Sequence, residues 1–204
     1  MVAAVDDQLV AAVKWAAMAL AATVYRLQIE LSDVDRGVYE ALDLRLARHP
    51  SESMPYLLTR VIAYCLCYEE GIAFSKGGLS DTDEPPVSIR DLQGVLRAWI
   101  DVGSPSAERL HKASKACDRV VVFTQHDAGL LQRQLRDRTI HRAETIELFA
   151  LEPSFLDALA EVTDRNARWA LTRTEGNLYV TAGDRHLSGA VTSHRLVEAA
   201  SPSG

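Results

Sequence analysis

Residues 119–124 read Arg-Val-Val-Val-Phe-Thr, with four consecutive apolar side chains in a segment too short for a stable helix. A strand with no polar side has to be covered on both faces. The flanking residues supply covers. Leu110, Ala113 and Cys117 recur at helical spacing before the run, and a second helical pattern follows near 127–136. One six-residue segment therefore calls for a sheet sandwiched between helices. The rest of the chain fits that plan. Val24, Leu27, Ile29 and Leu31 in 23–31, then Leu42, Leu44 and Leu46 in 38–48, mark two strands. Ser32 to Gly37 is turn chemistry between them, so the pair reads as an N-terminal β-hairpin. Further strands are expected at 95–102, 144–150, 168–173, 177–181 and 186–191. A helix is expected at 153–163. Hairpins interleaved with helices define an α+β or mixed α/β fold, a compact single domain with a mixed sheet flanked by helices.

Between the hairpin and the central strands, Met54, Leu57, Leu58, Val61, Ile62, Cys65 and Tyr68 recur at three and four. This predicts an amphipathic helix of about five turns. Ser51 is the expected N-cap, Glu52 favours the helix dipole from the first turn, and Gly71 ends it. Ser104 and Pro105 are expected to open the helix after 95–102. Residues 1–17 read as an N-terminal extension, 18–197 as the domain and 198–204 as a tail. The first residues carry Asp6, Asp7 and Lys14, which does not match a secretory signal. No apolar stretch reaches the roughly 18 residues of a membrane span, and the 3 cysteines show no framework spacing. A cytoplasmic protein without membrane contact is expected.

The chemistry concentrates in 83–112. If Leu92 and Gln93 form a two-residue turn, Glu84 falls opposite Asp101, with Cβ atoms roughly 5 Å apart. A three-residue loop or a bulge is expected to bring Asp83 there instead. Paired acids call for a compensating cation, either a metal or a basic side chain. Mg²⁺ or Mn²⁺ would suit these oxygen ligands. Arg60, His49, Arg109 and Lys112 are the candidate basic groups. The plainer reading makes Asp83 and Glu84 solvated loop acids and Asp101 a helix cap. At Arg48-His49-Pro50-Ser51-Glu52, His49 could bind an anion or transfer a proton, or simply close the hairpin. Cys65 and Cys67 project about 200° apart on a helix, which suits core packing better than metal binding. His126, His141, His186 and His194 have no partners at ligand spacing. The total of 22 basic and 28 acidic residues, a net charge of −6, argues against a surface that coats long DNA. A basic pocket within an acidic shell remains compatible with it.

Several of these segments together resemble the bacterial YaeQ family. They are Ala47-Arg48-His49-Pro50-Ser51-Glu52, Asp83-Glu84-Pro85, Trp99-Ile100-Asp101-x-Gly103-x-Pro105 and Arg109-x-x-Lys112-Ala113. Met18-Ala19-Leu20 before Thr23-Val24-Tyr25 resembles that family's start, and the likeness runs over residues 18–191. What it implies is a compact variation of the PD-(D/E)xK, restriction-endonuclease-like core. On that resemblance Glu84 or Asp83 is the first acid, Asp101 the second and Glu52 the helical acid. Lys112 stands in for a motif lysine, because Gly103 occupies the usual position. Glu84 and Asp101 would hold a Mg²⁺ or Mn²⁺ ion, with Glu52 and Lys112 completing a catalytic set. His49, Ser51, Arg60, Asp83 and Arg109 would line the pocket. Two functions follow: a metal-dependent phosphodiesterase acting on nucleic acid or a phosphate-containing small ligand, or a non-catalytic binding or regulatory protein on a degenerate nuclease scaffold.

Overall fold

Along 119–124 the side chains part in both directions. In the computed structural model, which describes residues 22–75 and 84–196, Val121 and Phe123 are buried in one core. Val120 and Val122 are buried in the other. The expected N-terminal extension, the loop with Gly77, Gly78 and Asp83, and the C-terminal tail lie outside the described residues. Within them the chain runs β1 (Thr23–Asp33), β2 (Val38–Arg48), α1 (Met54–Leu66), β3 (Ile72–Phe74), β4 (Val87–Arg90) and β5 (Leu96–Val102). It continues through α2 (Ala107–Ala116), β6 (Arg119–Thr124), α3 (Ala128–Leu135), a 3₁₀ turn (Ala143–Thr145), β7 (Glu147–Leu151) and α4 (Pro153–Val162). It closes with β8 (Asn166–Thr174), β9 (Asn177–Ala182) and β10 (Arg185–Arg195).

The strands form one mixed sheet in the order β2-β1-β8-β9-β10-β7-β6-β5-β4-β3. β5, β6 and β7 are mutually parallel, and β1 is parallel to β8. α1 and α4 cover one face through Leu57, Leu58, Val61, Phe155, Leu156 and Leu159. α2 and α3 cover the other through Leu110, Ala113, Leu131 and Leu135. The hairpin pairs Leu27 with Leu44 and Ile29 with Leu42, so its inner face is one apolar ladder. Tyr25 joins that face, whereas Val24 lies on the outer side and is exposed. α4 lies so close to β10 that a Cβ on Gly189 would stand 2.5 Å from Phe155 Cβ.

Four local expectations are corrected. The N-cap of α1 is Ser53, whose Oγ accepts from Tyr56 N at 3.3 Å, and not Ser51. The cap shifts because His49 to Glu52 close a turn, with Glu52 N donating to His49 O at 2.9 Å. The helix also stops at Leu66, well short of Gly71. Gly71 serves β3 instead: it has φ +88°, and a Cβ there would meet Arg90 O at 1.9 Å. α2 is capped by Ser106 and begins after Pro105, not at Ser104.

The fourth correction is the β4–β5 register. Asp91 N donates to Val95 O and Gly94 N to Asp91 O, so the loop holds three residues, with Gly94 at φ +81°. A shift between Ile89 and Arg90 adds a further step, and Val87 pairs with Ile100. Continuing this register sets Pro86, and not Glu84, beside Asp101; Asp83 lies outside the described residues. The expected Glu84–Asp101 cross-strand pair therefore does not form. No helix among the described residues is long and apolar enough to cross a membrane.

Candidate functional site

The C-terminal end of β5 meets the N-terminal ends of α1 and α2, and four of the predicted residues form two charge pairs there, Asp101 with Arg109 and Glu52 with Arg60. Asp101 is 2% exposed. Its Oδ2 accepts from Arg109 Nε at 2.6 Å and from Trp99 Nε1 at 3.1 Å, and its Oδ1 accepts from Val102 N at 3.2 Å. Ser106 caps the helix that presents Arg109, accepting from Arg109 N at 3.2 Å. The guanidinium carbon stands 5.3 Å from the Trp99 ring centroid, in cation–π range. Arg109 NH2 also donates to Glu84 O at 2.9 Å. Glu84 thus reaches the site through its backbone carbonyl, while its side chain is exposed.

Glu52 and Arg60 make the second pair, both 2% exposed. Arg60 NH1 donates to Glu52 Oε1 at 2.7 Å, and His49 N donates to Glu52 Oε2 at 3.1 Å. Arg48 Nε donates to Glu52 O at 2.8 Å. Arg60 also lies 5.6 Å from the Phe74 ring centroid, and its Nε is buried with no hydrogen-bond partner. His49 Nδ1 and Ser51 Oγ are 2.6 Å apart and exposed. Lys112 lies on the exposed flank of α2, three residues beyond Arg109.

Tyr56 belongs to this site and carries no motif signal. It sits in the first turn of α1, and its ring is 3.4 Å from where a Cβ on Gly103 would lie. Burial pushes its phenol up to about 12. The Asp101 and Glu52 charges act in the same direction, and Arg60 and Arg109 oppose them. Trp99, which the sequence places on a strand and in a resemblance segment but gives no role, orients the Asp101 carboxylate through its indole. The clearest sequence signal for both pairs is an acid followed eight residues later by arginine across a helix start: Glu52 to Arg60 and Asp101 to Arg109.

Among the described residues, Asp101 and Glu52 do not fit a divalent ion. Mg²⁺ and Mn²⁺ need oxygen lone pairs turned toward them. Asp101 Oδ2 takes two donors, and each Glu52 oxygen takes one. No three His, Cys, Asp or Glu side chains gather at metal-ligand spacing among the described residues. The singled-out histidines behave similarly. His126 and His194 line one crevice of about 520 Å³ beside the start of α3, where His194 Nε2 lies 3.2 Å from Thr192 Oγ1.

Comparison with known proteins agrees with the architecture. The YaeQ protein of Salmonella typhi, described as uncharacterized, is 28% identical over 177 residues, covering 86% of this chain and 97% of that protein. The Escherichia coli K12 protein of the same description is 27% identical over 178 residues, with the same coverage. The crystal structure of YaeQ from Xanthomonas axonopodis pv. citri superposes with a TM-score of 0.78 at 28% identity, covering 85% of this chain and 98% of that one. That of YaeQ from Pseudomonas syringae gives 0.76 at 29% identity, covering 86% and 97%. The family model described as YaeQ protein matches residues 18–191, and the chain belongs to the YaeQ family.

Proposed function

We propose that this chain is a non-catalytic binding protein on a scaffold related to the PD-(D/E)xK nucleases. Its rim of His49, Ser51, Tyr56, Arg109 and Lys112 takes a phosphate-containing small ligand. The observation that carries this reading is the Asp101–Arg109 contact of 2.6 Å, backed by Trp99 Nε1 on the same oxygen. A carboxylate bound this way is neutralised by a side chain and has little charge left for a metal. The same holds for Glu52 with Arg60 at 2.7 Å. Arg109 and Lys112 bring a guanidinium and an ammonium group to the rim beside the polar His49 and Ser51. That complements a phosphate despite the net charge of −6. Calorimetric titration of the full chain with inorganic pyrophosphate in chelator tests this. Saturable binding is expected, weakened at least 10-fold by Lys112→Ala. Absence of saturable binding, or binding unchanged in Lys112→Ala, would overturn it.

A second reading has one observation in its favour. Arg109, which holds Asp101, also bonds Glu84 O, so the Glu84 backbone lies at the same guanidinium as Asp101. On that reading Asp83, Glu84 and Asp101 hold Mg²⁺ or Mn²⁺, and the chain hydrolyses a phosphodiester in nucleic acid. Cleavage of a short oligonucleotide that depends on Mn²⁺ and is lost in Asp101→Ala would favour it over the binding reading.

A further inference from the structure

At the opposite end of α1, about 20 Å from this rim, a second cavity of about 260 Å³ lies between the helix C-terminus and the sheet. Its floor is aromatic: the Phe123 and Phe149 rings stack with centroids 5.1 Å apart. Leu66 and Cys67 form an apolar wall, and burial pushes the Cys67 thiol up to about 12, so it stays protonated. Arg36, Arg119 and Arg173 complete the lining, with Glu147 as its acid.

These guanidiniums are not equally engaged. Arg36 donates to Leu66 O at 2.7 Å and Tyr68 O at 3.0 Å, capping α1 and offsetting the negative end of its dipole. Arg119 has only long contacts, 3.4 Å to Glu147 Oε1 and 3.6 Å to Glu69 Oε2. Arg173 NH1 reaches Asp33 Oδ2 at 3.5 Å. Arg173 Nε is buried without a hydrogen-bond partner, although Asp35 Oδ2 lies 3.3 Å away. Charge-assisted contacts normally close to about 2.7–2.9 Å, and a buried donor left unmatched needs an explanation. Two under-bonded forks at the charged side of an aromatic-floored cavity match an anion with an apolar body.

We propose that this cavity binds a compact planar carboxylate. Its carboxylate lies between Arg119 and Arg173, and its apolar body lies on Phe149 and Phe123. Glu147 competes with the ligand for Arg119. This site shares no residue with the rim above, so pyrophosphate binding there is indifferent to changes here.

Amide NMR titration of the full chain at constant ionic strength tests it, with benzoate as the probe. Neutral benzamide and inorganic phosphate serve as comparisons. Saturable benzoate shifts at Arg119 and Phe149 are expected, with affinity falling at least 10-fold in Arg119→Met and rising several-fold in Glu147→Gln. Benzamide and phosphate should each bind at least 10-fold more weakly. Four results would overturn the proposal: no saturable benzoate binding, benzamide binding as tightly as benzoate, phosphate binding as tightly as benzoate, or unchanged affinity in a folded Arg119→Met. If Arg119→Met does not fold, Glu147→Gln decides, and an affinity that fails to rise counts against the site.

Discussion

Replacing Glu52 by Gln tests whether the site acids are structural partners of the arginines. Arg60 is 2% exposed, so Glu52→Gln leaves a buried guanidinium without its anionic partner. Removing one member of a buried ion pair costs roughly 3–5 kcal/mol. Arg60 retains the Ala47 carbonyl at 3.5 Å and the Phe74 ring, which places the expected cost near the lower bound, about 3 kcal/mol. Arg60→Met should cost a similar amount by stranding Glu52. The double variant removes both charges and keeps an acceptor for His49 N, so it should cost far less than the two singles together. A coupling of about 3 kcal/mol is expected. With a urea slope on the order of 2 kcal/mol per molar, each single variant lowers the midpoint by about 1.5 M. Against a typical stability of roughly 5–15 kcal/mol this is readily measured. Urea titrations followed by circular dichroism at pH 7 close the cycle. Additive costs, or a Glu52→Gln variant more stable than the parent, would refute the assignment. The second outcome is what a strained catalytic acid would give.

Tyr56 makes the site's electrostatics visible. Its folded pKa of about 12 exceeds the ordinary 10.0. The fold therefore favours the neutral phenol, and its stabilisation is complete below pH 10 and lost as pH rises toward 12. Partial exposure limits that to about 1–2 kcal/mol. Phenolate absorbance should show a late phase that Tyr56→Phe removes and Asp101→Asn moves to lower pH; an unchanged curve in Tyr56→Phe would contradict this. Gly189→Ala should destabilise the protein by roughly 1–3 kcal/mol, because the new methyl would meet Phe155 at 2.5 Å; a stability equal to the parent's would show that α4 can move away. Burial raises all three thiols, Cys65 and Cys67 to about 12, so a disulfide reagent at pH 8 should find no fast thiol in the native chain and three after denaturation. Rapid native reaction would place a thiol at the surface.

The apolar alternation of β1 and β2 was legible because a half-buried strand writes its burial directly into its residues. The 119–124 run showed its two-sided cover for the same reason. The end of α1 was not legible, since Tyr68 continues the helical spacing after the backbone has left the helix at Cys67. Ser51 and Ser53 are equally good caps by composition, and only the turn closed by His49 and Glu52 selects the second. The β4–β5 register failed through Gly94, whose left-handed backbone makes a three-residue loop, and through the shift at Ile89 and Arg90. Sequence named Asp101, Arg109, Glu52 and Arg60 among its candidates, together with Asp83, Glu84, His49, Ser51 and Lys112, and only the first four form the two charge pairs. Which cation answers each acid depends on helix starts one or two residues from where composition put them. Tyr56 and Trp99 were hidden because an aromatic beside a buried charge reads the same in sequence as one in the core.

On the geometry of the two pairs, the Asp101 and Glu52 carboxylates are answered by arginines and not by a metal. Isothermal calorimetry of the full chain with Mn²⁺, beside Asp101→Ala, tests it most directly. No saturable heat is expected from the parent chain. A saturable Mn²⁺ isotherm that disappears in a folded Asp101→Ala would contradict it.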